Sequence, residues 1–166
     1  MAHIVIICTA NICRSPVAEA LLRDRLSKRG LDEWTVSSAG TWAMQVRGAA
    51  ENSIQVASEY GLDIQDHEAR MVEEQYLSEA DLVLCMETGH AEALRAEFAD
   101  QAYKVYLLSE MSGRAYSVSD PYGEPLISYQ RMAAELARLI DNGMDRIVQL
   151  AEENYAGRLE AGPTNH

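Results

Sequence analysis

A chain of 166 residues that is 48% hydrophobic is long and apolar enough for one ample core, which excludes the disordered and membranous classes. A formal charge of −12 argues against a nucleic-acid partner, because neutralising phosphates takes Lys and Arg in excess. No apolar run approaches the roughly 20 residues that span a bilayer, and Ile4–Ile7 is too short and lacks the basic lead-in of a signal-peptide core, so no membrane partner is expected.

The first element, His3-Ile4-Val5-Ile6-Ile7, is short, β-branched and unbroken, the pattern of a buried strand in a parallel sheet. After it comes Cys8-Thr9-Ala10-Asn11-Ile12-Cys13-Arg14-Ser15, and then Pro16, which suits a first helical position because its missing N–H is harmless there. Val17, Ala20, Leu21, Leu22 and Leu26 follow at helical spacing to about Arg29, with Gly30 as the cap. The stretch from Cys8 to Ser15 is therefore a strand-to-helix loop facing a helix N-terminus, where backbone N–H groups and the helix dipole favour an anion. Cys8 puts a thiol where negative charge is favoured, so its nucleophilic thiolate form is favoured too. Arg14 can return its planar fork across the loop onto an oxyanion.

The bare Cys-x5-Arg spacing is weak, and a cysteine ending a buried strand is commonly just a small hydrophobe. The context changes the odds: strand, loop and Ser-Pro helix start, with Asn11 and Ser15 as local hydrogen-bonders. Because the whole chain repels anions, any anionic ligand requires a local positive focus around Arg14 and the helix end.

Further along, Trp34 to Ser38 alternates as a second strand, and a loop follows through Thr41-Trp42-Ala43-Met44. A helix is predicted from about Ala49 to Tyr60, ended by Gly61, and weak helix over His67 to Tyr76. Asp81 to Cys85 reads as a third parallel strand, Thr88 to Ala96 as helix and Lys104 to Leu107 as a fourth strand. From Ser109 to Ser128 the chain is rich in Ser, Gly, Pro and Tyr, a long loop of the kind that is usually functional. Tyr129, Met132, Leu136, Ile140, Met144, Ile147 and Leu150 then keep one helical face straight through Asn142-Gly143, so one long helix with a weak middle is predicted. The domain is bounded at residues 1–155, and residues 156–166 are expected to be a mobile tail with nothing to bury.

Alternation of strand and helix implies an α/β single domain, a four-stranded parallel sheet covered by helices on both faces in the flavodoxin-like or Rossmann-like manner. Ligands bind such sheets beyond the carboxyl ends of the strands, at a switch in strand order, which is where the loop after the first strand lies. The four histidines, His3, His67, His90 and His166, show no ligand spacing, so no metal and no other cofactor is expected. Three cysteines, Cys8, Cys13 and Cys85, point to a reducing compartment, with the cytoplasm as the expected localisation.

The stretch Cys8 to Pro16 resembles the signature loop of the low-molecular-weight protein tyrosine phosphatases. The likeness continues, in family order, through Ala18-Glu19, Ser37-Ser38-Ala39-Gly40-Thr41, Gly61-Leu62-Asp63, His67-Glu68-Ala69-Arg70, Asp81 to Met86 and Asp120-Pro121-Tyr122-Gly123. The family usually has glycine where Ala10 stands, and alanine there would cost about 1–2 kcal/mol if the position needed positive φ. The resemblance implies metal-independent hydrolysis of phosphotyrosine in proteins through a cysteinyl-phosphate. Cys8 would be the nucleophile, Arg14 the oxyanion clamp and Asp120 the general acid, with Glu124 as the alternative acid. Thr9, Ala10, Asn11, Ile12, Cys13 and Ser15 would form the phosphate-binding loop, with Ser15 also donating to the Cys8 sulfur, and Ser38 and His67 would brace Asn11. Trp42 and Tyr122 are the aromatic walls expected of a slot for a flat phosphoaryl group. Cys13 would be the redox partner of Cys8, and Cys85 reads as core.

Three other readings compete. Arginine phosphatases of the same family tend to carry threonine where this chain has Ile12. Arsenate reductases on the same loop need two further relay cysteines, and here only Cys85 remains, in a strand. A non-catalytic phosphate-binding module would need neither the thiol nor the acid. The expected partner is a phosphotyrosine-containing protein. Neither its identity nor the oligomeric state is legible in the sequence.

Overall fold

The computed structural model describes residues 1–162. Among the described residues four strands, β1 (His3–Cys8), β2 (Thr35–Gly40), β3 (Leu82–Cys85) and β4 (Val105–Leu107), form one parallel sheet in the order β2-β1-β3-β4. Five α-helices connect and cover it: α1 (Arg14–Lys28), α2 (Glu51–Glu59), α3 (Glu74–Glu79), α4 (Thr88–Glu97) and α5 (Leu126–Ala161). Along β1 the side chains alternate between two cores. Ile4, Ile6 and Cys8 join Leu21, Leu22, Val56, Leu136 and Ile140 of α1, α2 and α5. Val5 and Ile7 join Leu77 of α3 and Ala91 and Leu94 of α4. Helices on both faces explain why β1 and β3 read as solid apolar runs.

The chain moves from β1 to β2 on one side and later fills β3 and β4 on the other. The loops after β1 and β3 therefore part at the carboxyl edge of the sheet and open a crevice there. Cys8 ends β1 at that edge.

Several boundaries differ from expectation. Helix α1 begins at Arg14, so Pro16 is its third residue, still within the first turn where the missing N–H costs nothing. Residues 67–73 are not helical: Met71 bridges in parallel to Gly40, and the helix starts only at Glu74. A backbone partner at the edge of β2 outcompetes the weak helical pattern there. Lys104 closes a 3-10 turn (Ala99–Lys104) instead of opening β4; its ammonium donates to the Ala80 carbonyl at 2.7 Å, and burial pushes its pKa down to about 8.

Helix α5 passes through Asn142-Gly143 unbroken. Gly143 is there for close approach, not for a turn: a Cβ on it would lie 2.7 Å from the Met111 Cβ in the 3-10 turn (Leu108–Ser112) after β4. The same helix continues to Ala161, beyond the predicted domain boundary at residue 155. Polar anchors carry it on, with Asn154 donating to the Asp81 carbonyl at 2.8 Å and Arg158 Nε to the buried Asp81 carboxylate at 2.9 Å. The rest of the predicted tail, 163–166, lies outside the described residues. No described helix is long and apolar enough to cross a membrane.

Candidate active site

The loop after β1 folds around Asn11, which is fully buried and takes a left-handed backbone angle of φ 59°. Asparagine tolerates that region better than most residues. Ala10 has no positive φ, so alanine stands there without the strain that the family's glycine suggested. The Asn11 side chain is saturated: Nδ2 donates to Ser15 Oγ at 2.7 Å and Ser38 Oγ at 2.9 Å, and Oδ1 accepts from the Arg70 N–H at 3.0 Å. His67 Nε2 donates to the Asn11 carbonyl at 2.6 Å. Burial lowers the His67 pKa, and the bond to Asn11 works against that shift. The structure thus brings Ser38 and His67 onto Asn11. It also puts Ser15 Oγ 2.9 Å from Cys8 Sγ.

Gly40, at the end of β2, lets the loop sit where it does. A Cβ on Gly40 would lie 2.3 Å from the Thr9 carbonyl oxygen and 3.1 Å from the Asn11 nitrogen. Gly40→Ala must therefore push the loop outward. Overpacking of this kind costs roughly 1–3 kcal/mol, so thermal denaturation should show a melting temperature lower by about 2–12 °C. Turnover should fall at least tenfold, because a 1 Å misplacement can cost about 10²-fold. Unchanged kinetics would show that the close approach is irrelevant to the site.

Arg14 is 1% exposed, and its guanidinium is clamped. Nη1 donates to the Val118 carbonyl at 2.7 Å. Nη2 lies 2.8 Å from Glu87 Oε2, 3.3 Å from Thr9 Oγ1 and 3.6 Å from Asp120 Oδ2. Among the described residues Nε has no partner. A buried N–H left unmade costs about 1–3 kcal/mol, which an anion oxygen in the loop would remove. The backbone N–H groups of residues 10–13 likewise have no acceptor among the described residues.

Nothing in the sequence marks Glu87 and His90 for the site, since Thr88 to Ala96 reads only as helix. The Glu87 backbone N–H donates to His90 Nδ1 at 3.2 Å, so His90 Nε2 carries the proton toward Thr9 Oγ1, 2.8 Å away. Burial lowers the His90 pKa, consistent with that neutral tautomer. Thr9, Glu87 and His90 together fix the outer side of Arg14. Neither Glu87 nor the Val118 carbonyl carries a local signal, because each reaches Arg14 only through the fold.

The cleft over the loop has a volume of about 260 Å³ and is lined by Cys8, Ile12 and Cys13 among loop residues, with Trp42, Asp120 and Tyr122 around its mouth. Trp42 is 77% exposed and Tyr122 58%, one on the loop after β2 and the other on the loop before α5. The second loop is tied to the end of β3, where the Val118 N–H donates to the Met86 carbonyl at 2.8 Å. Asp120 Oδ1 accepts the Tyr122 N–H at 3.1 Å, which leaves Oδ2 toward Arg14. Glu124 is exposed and is not among the lining residues.

Cys13 is buried with its sulfur 3.6 Å from the Tyr129 hydroxyl, and burial pushes its pKa up to about 11. Cys85 is buried in the sheet core, and burial raises its pKa as well. Among the described residues no three His, Cys, Asp or Glu side chains cluster as a metal site.

The chain is similar to known phosphatases. The family model described as low molecular weight phosphotyrosine protein phosphatase matches residues 3–154. A probable low molecular weight protein-tyrosine-phosphatase, EpsP, of Ralstonia nicotianae is 31% identical over 144 residues, covering 87% of this chain and 94% of that protein. A protein-arginine-phosphatase of Bacillus subtilis is 32% identical over 138 residues, covering 82% and 91%. The crystal structure of a low molecular weight protein tyrosine phosphatase from T. tengcongensis superposes with a TM-score of 0.83 at 37% identity, covering 88% of this chain and 99% of that one.

Proposed function

The chain belongs to the low molecular weight phosphotyrosine protein phosphatase family, and from that premise we propose that it hydrolyses phosphotyrosine in proteins through a cysteinyl-phosphate. The Cys8 thiolate, supported by Ser15 Oγ at 2.9 Å, attacks phosphorus in line and forms the S–P bond as the P–O bond to the phenol breaks. Arg14 and the loop N–H groups hold the equatorial oxygens and supply the positive charge of the transition state. Asp120 gives its proton to the departing phenoxide oxygen. Its carboxylate then takes a proton from the water that cleaves the S–P bond, releasing phosphate and returning the thiolate.

One observation carries phosphotyrosine over phosphoarginine. Ile12, an apolar side chain, lines the cleft beside Cys8 with Trp42 and Tyr122, so the slot suits an aryl group. Peptides identical but for phosphotyrosine, phosphoarginine or phosphoserine test this. The phosphotyrosine peptide should have the highest kcat/KM, by tenfold or more. A faster phosphoarginine peptide would make the chain an arginine phosphatase instead.

Redox control is part of the same reading. Peroxide oxidises the Cys8 thiolate to a sulfenic acid, and the Cys13 thiol condenses on it to form the S–S bond and release water. Cys13, held protonated by burial, is not itself the first target. Mild peroxide should inactivate the enzyme and a dithiol should restore it. If mass spectrometry finds no Cys8–Cys13 linkage in the oxidised protein, Cys13 is merely packed. Three free cysteines and a working thiolate favour a reducing compartment, so we assign the protein to the cytoplasm.

A further inference from the structure

A second cation stands at the mouth of the cleft. Besides Arg14, Arg47 is the one positively charged residue among those lining it. Its guanidinium carbon lies 5.8 Å from the centre of the Tyr122 ring, so it faces the loop that carries Asp120. Among the described residues Arg47 has no carboxylate partner, although the chain holds 26 acidic residues against 14 Lys and Arg.

The backbone behind Arg47 is strained. Val46, exposed and β-branched, has φ 58°, a left-handed angle that such residues almost never take. Strain of this kind costs about 1–3 kcal/mol and persists only where the surroundings over-determine it. Here the Val46 N–H donates to the Ala69 carbonyl at 2.8 Å and the Ala69 N–H to the Arg47 carbonyl at 2.8 Å. Those two bonds staple the loop to Ala69, two residues beyond His67, and deliver Arg47 to the cleft.

Arg14 and the loop N–H groups already serve the phosphoryl position, so Arg47 meets what surrounds it. We propose that Arg47 recognises an acidic side chain flanking the phosphotyrosine of the protein substrate, a specificity role that rests on the phosphotyrosine reading above. A guanidinium fork matches a carboxylate bidentately, and its position over the Tyr122 face limits the freedom lost on binding. The charge of −12 repels acidic segments at long range, so discrimination in their favour has to come from a cation at contact distance. An exposed pair of this kind changes affinity by up to about five-fold.

The test uses phosphotyrosine peptides identical except that Glu or Lys flanks the phosphorylated residue on both sides. The wild type should favour the Glu peptide by up to about five-fold in kcat/KM, through KM, and the ratio should fall toward one at ~1 M salt. Arg47→Gln should bring the ratio to one or below at low salt, where the net negative charge favours the Lys peptide, and Arg47→Glu should lower it further. A ratio unchanged in Arg47→Gln, including an equal loss on both peptides, overturns the proposal. The same pair is run with phosphoarginine. Failure of all phosphotyrosine turnover then refutes the substrate reading, while the Glu-to-Lys ratio in the second series still decides for or against Arg47.

Discussion

Cys8→Ser should lower turnover by roughly 10⁴-fold or more while phosphate or vanadate still binds, whereas Arg14→Ala should lose both. Serine keeps the shape of the loop and the unused N–H groups, but its hydroxyl is a far weaker nucleophile at neutral pH than a thiolate. Arg14→Ala removes the cation that separates Glu87 and Asp120, whose oxygens lie 2.8 Å and 3.6 Å from Nη2. Both carboxylates are more than a third exposed, so the stability loss falls well below the buried-pair limit of about 3–5 kcal/mol. The binding loss is larger, because two carboxylates would face an incoming phosphate dianion with Arg47 at the mouth as the one cation left among the lining residues. Stopped-flow kinetics and calorimetric titration with vanadate measure both quantities. Turnover by Cys8→Ser near the wild-type level would sink the covalent mechanism.

Asp120→Asn keeps the size of the side chain and removes the proton, so its effect should depend on the leaving group. General acid catalysis is typically worth ~10²–10⁴-fold, and alkyl or unactivated aryl phosphates should slow by about that much. A nitrophenyl ester leaves more readily unaided and should suffer less in the first step. The Tyr122 N–H to Asp120 Oδ1 bond at 3.1 Å survives in asparagine, so loop shape is held constant. Equal slowing across the leaving-group series would reduce Asp120 to a loop former. Glu124 would not then inherit the role, since it does not line the cleft. Glu87, the other carboxylate paired with Arg14, does not line the cleft either.

The sequence by itself determined the features that depend on neighbours along the chain. The apolar runs of β1 and β3, the strand-to-helix loop from Cys8 to Ser15 and the unbroken face of α5 are local patterns. Short range suffices to read them, because burial on one or two faces dictates which residue types recur and at what period. The weak helical pattern of residues 67–76 holds only from Glu74 onward for the same reason: nothing local announces that Met71 pairs with Gly40. Only the tertiary structure decided what surrounds Arg14. Val118 and Glu87 are far from it in the chain, and they reach it because β3 lies parallel beside β1 with Ile7 opposite Cys85. The close approach of Gly40 to Thr9 depends in the same way on the register of β2, with Cys8 opposite Gly40. A side-chain pattern states which face of a strand is buried; which backbone atom of another strand's loop will stand 3 Å away is set by register and loop path, and those are properties of the assembled sheet.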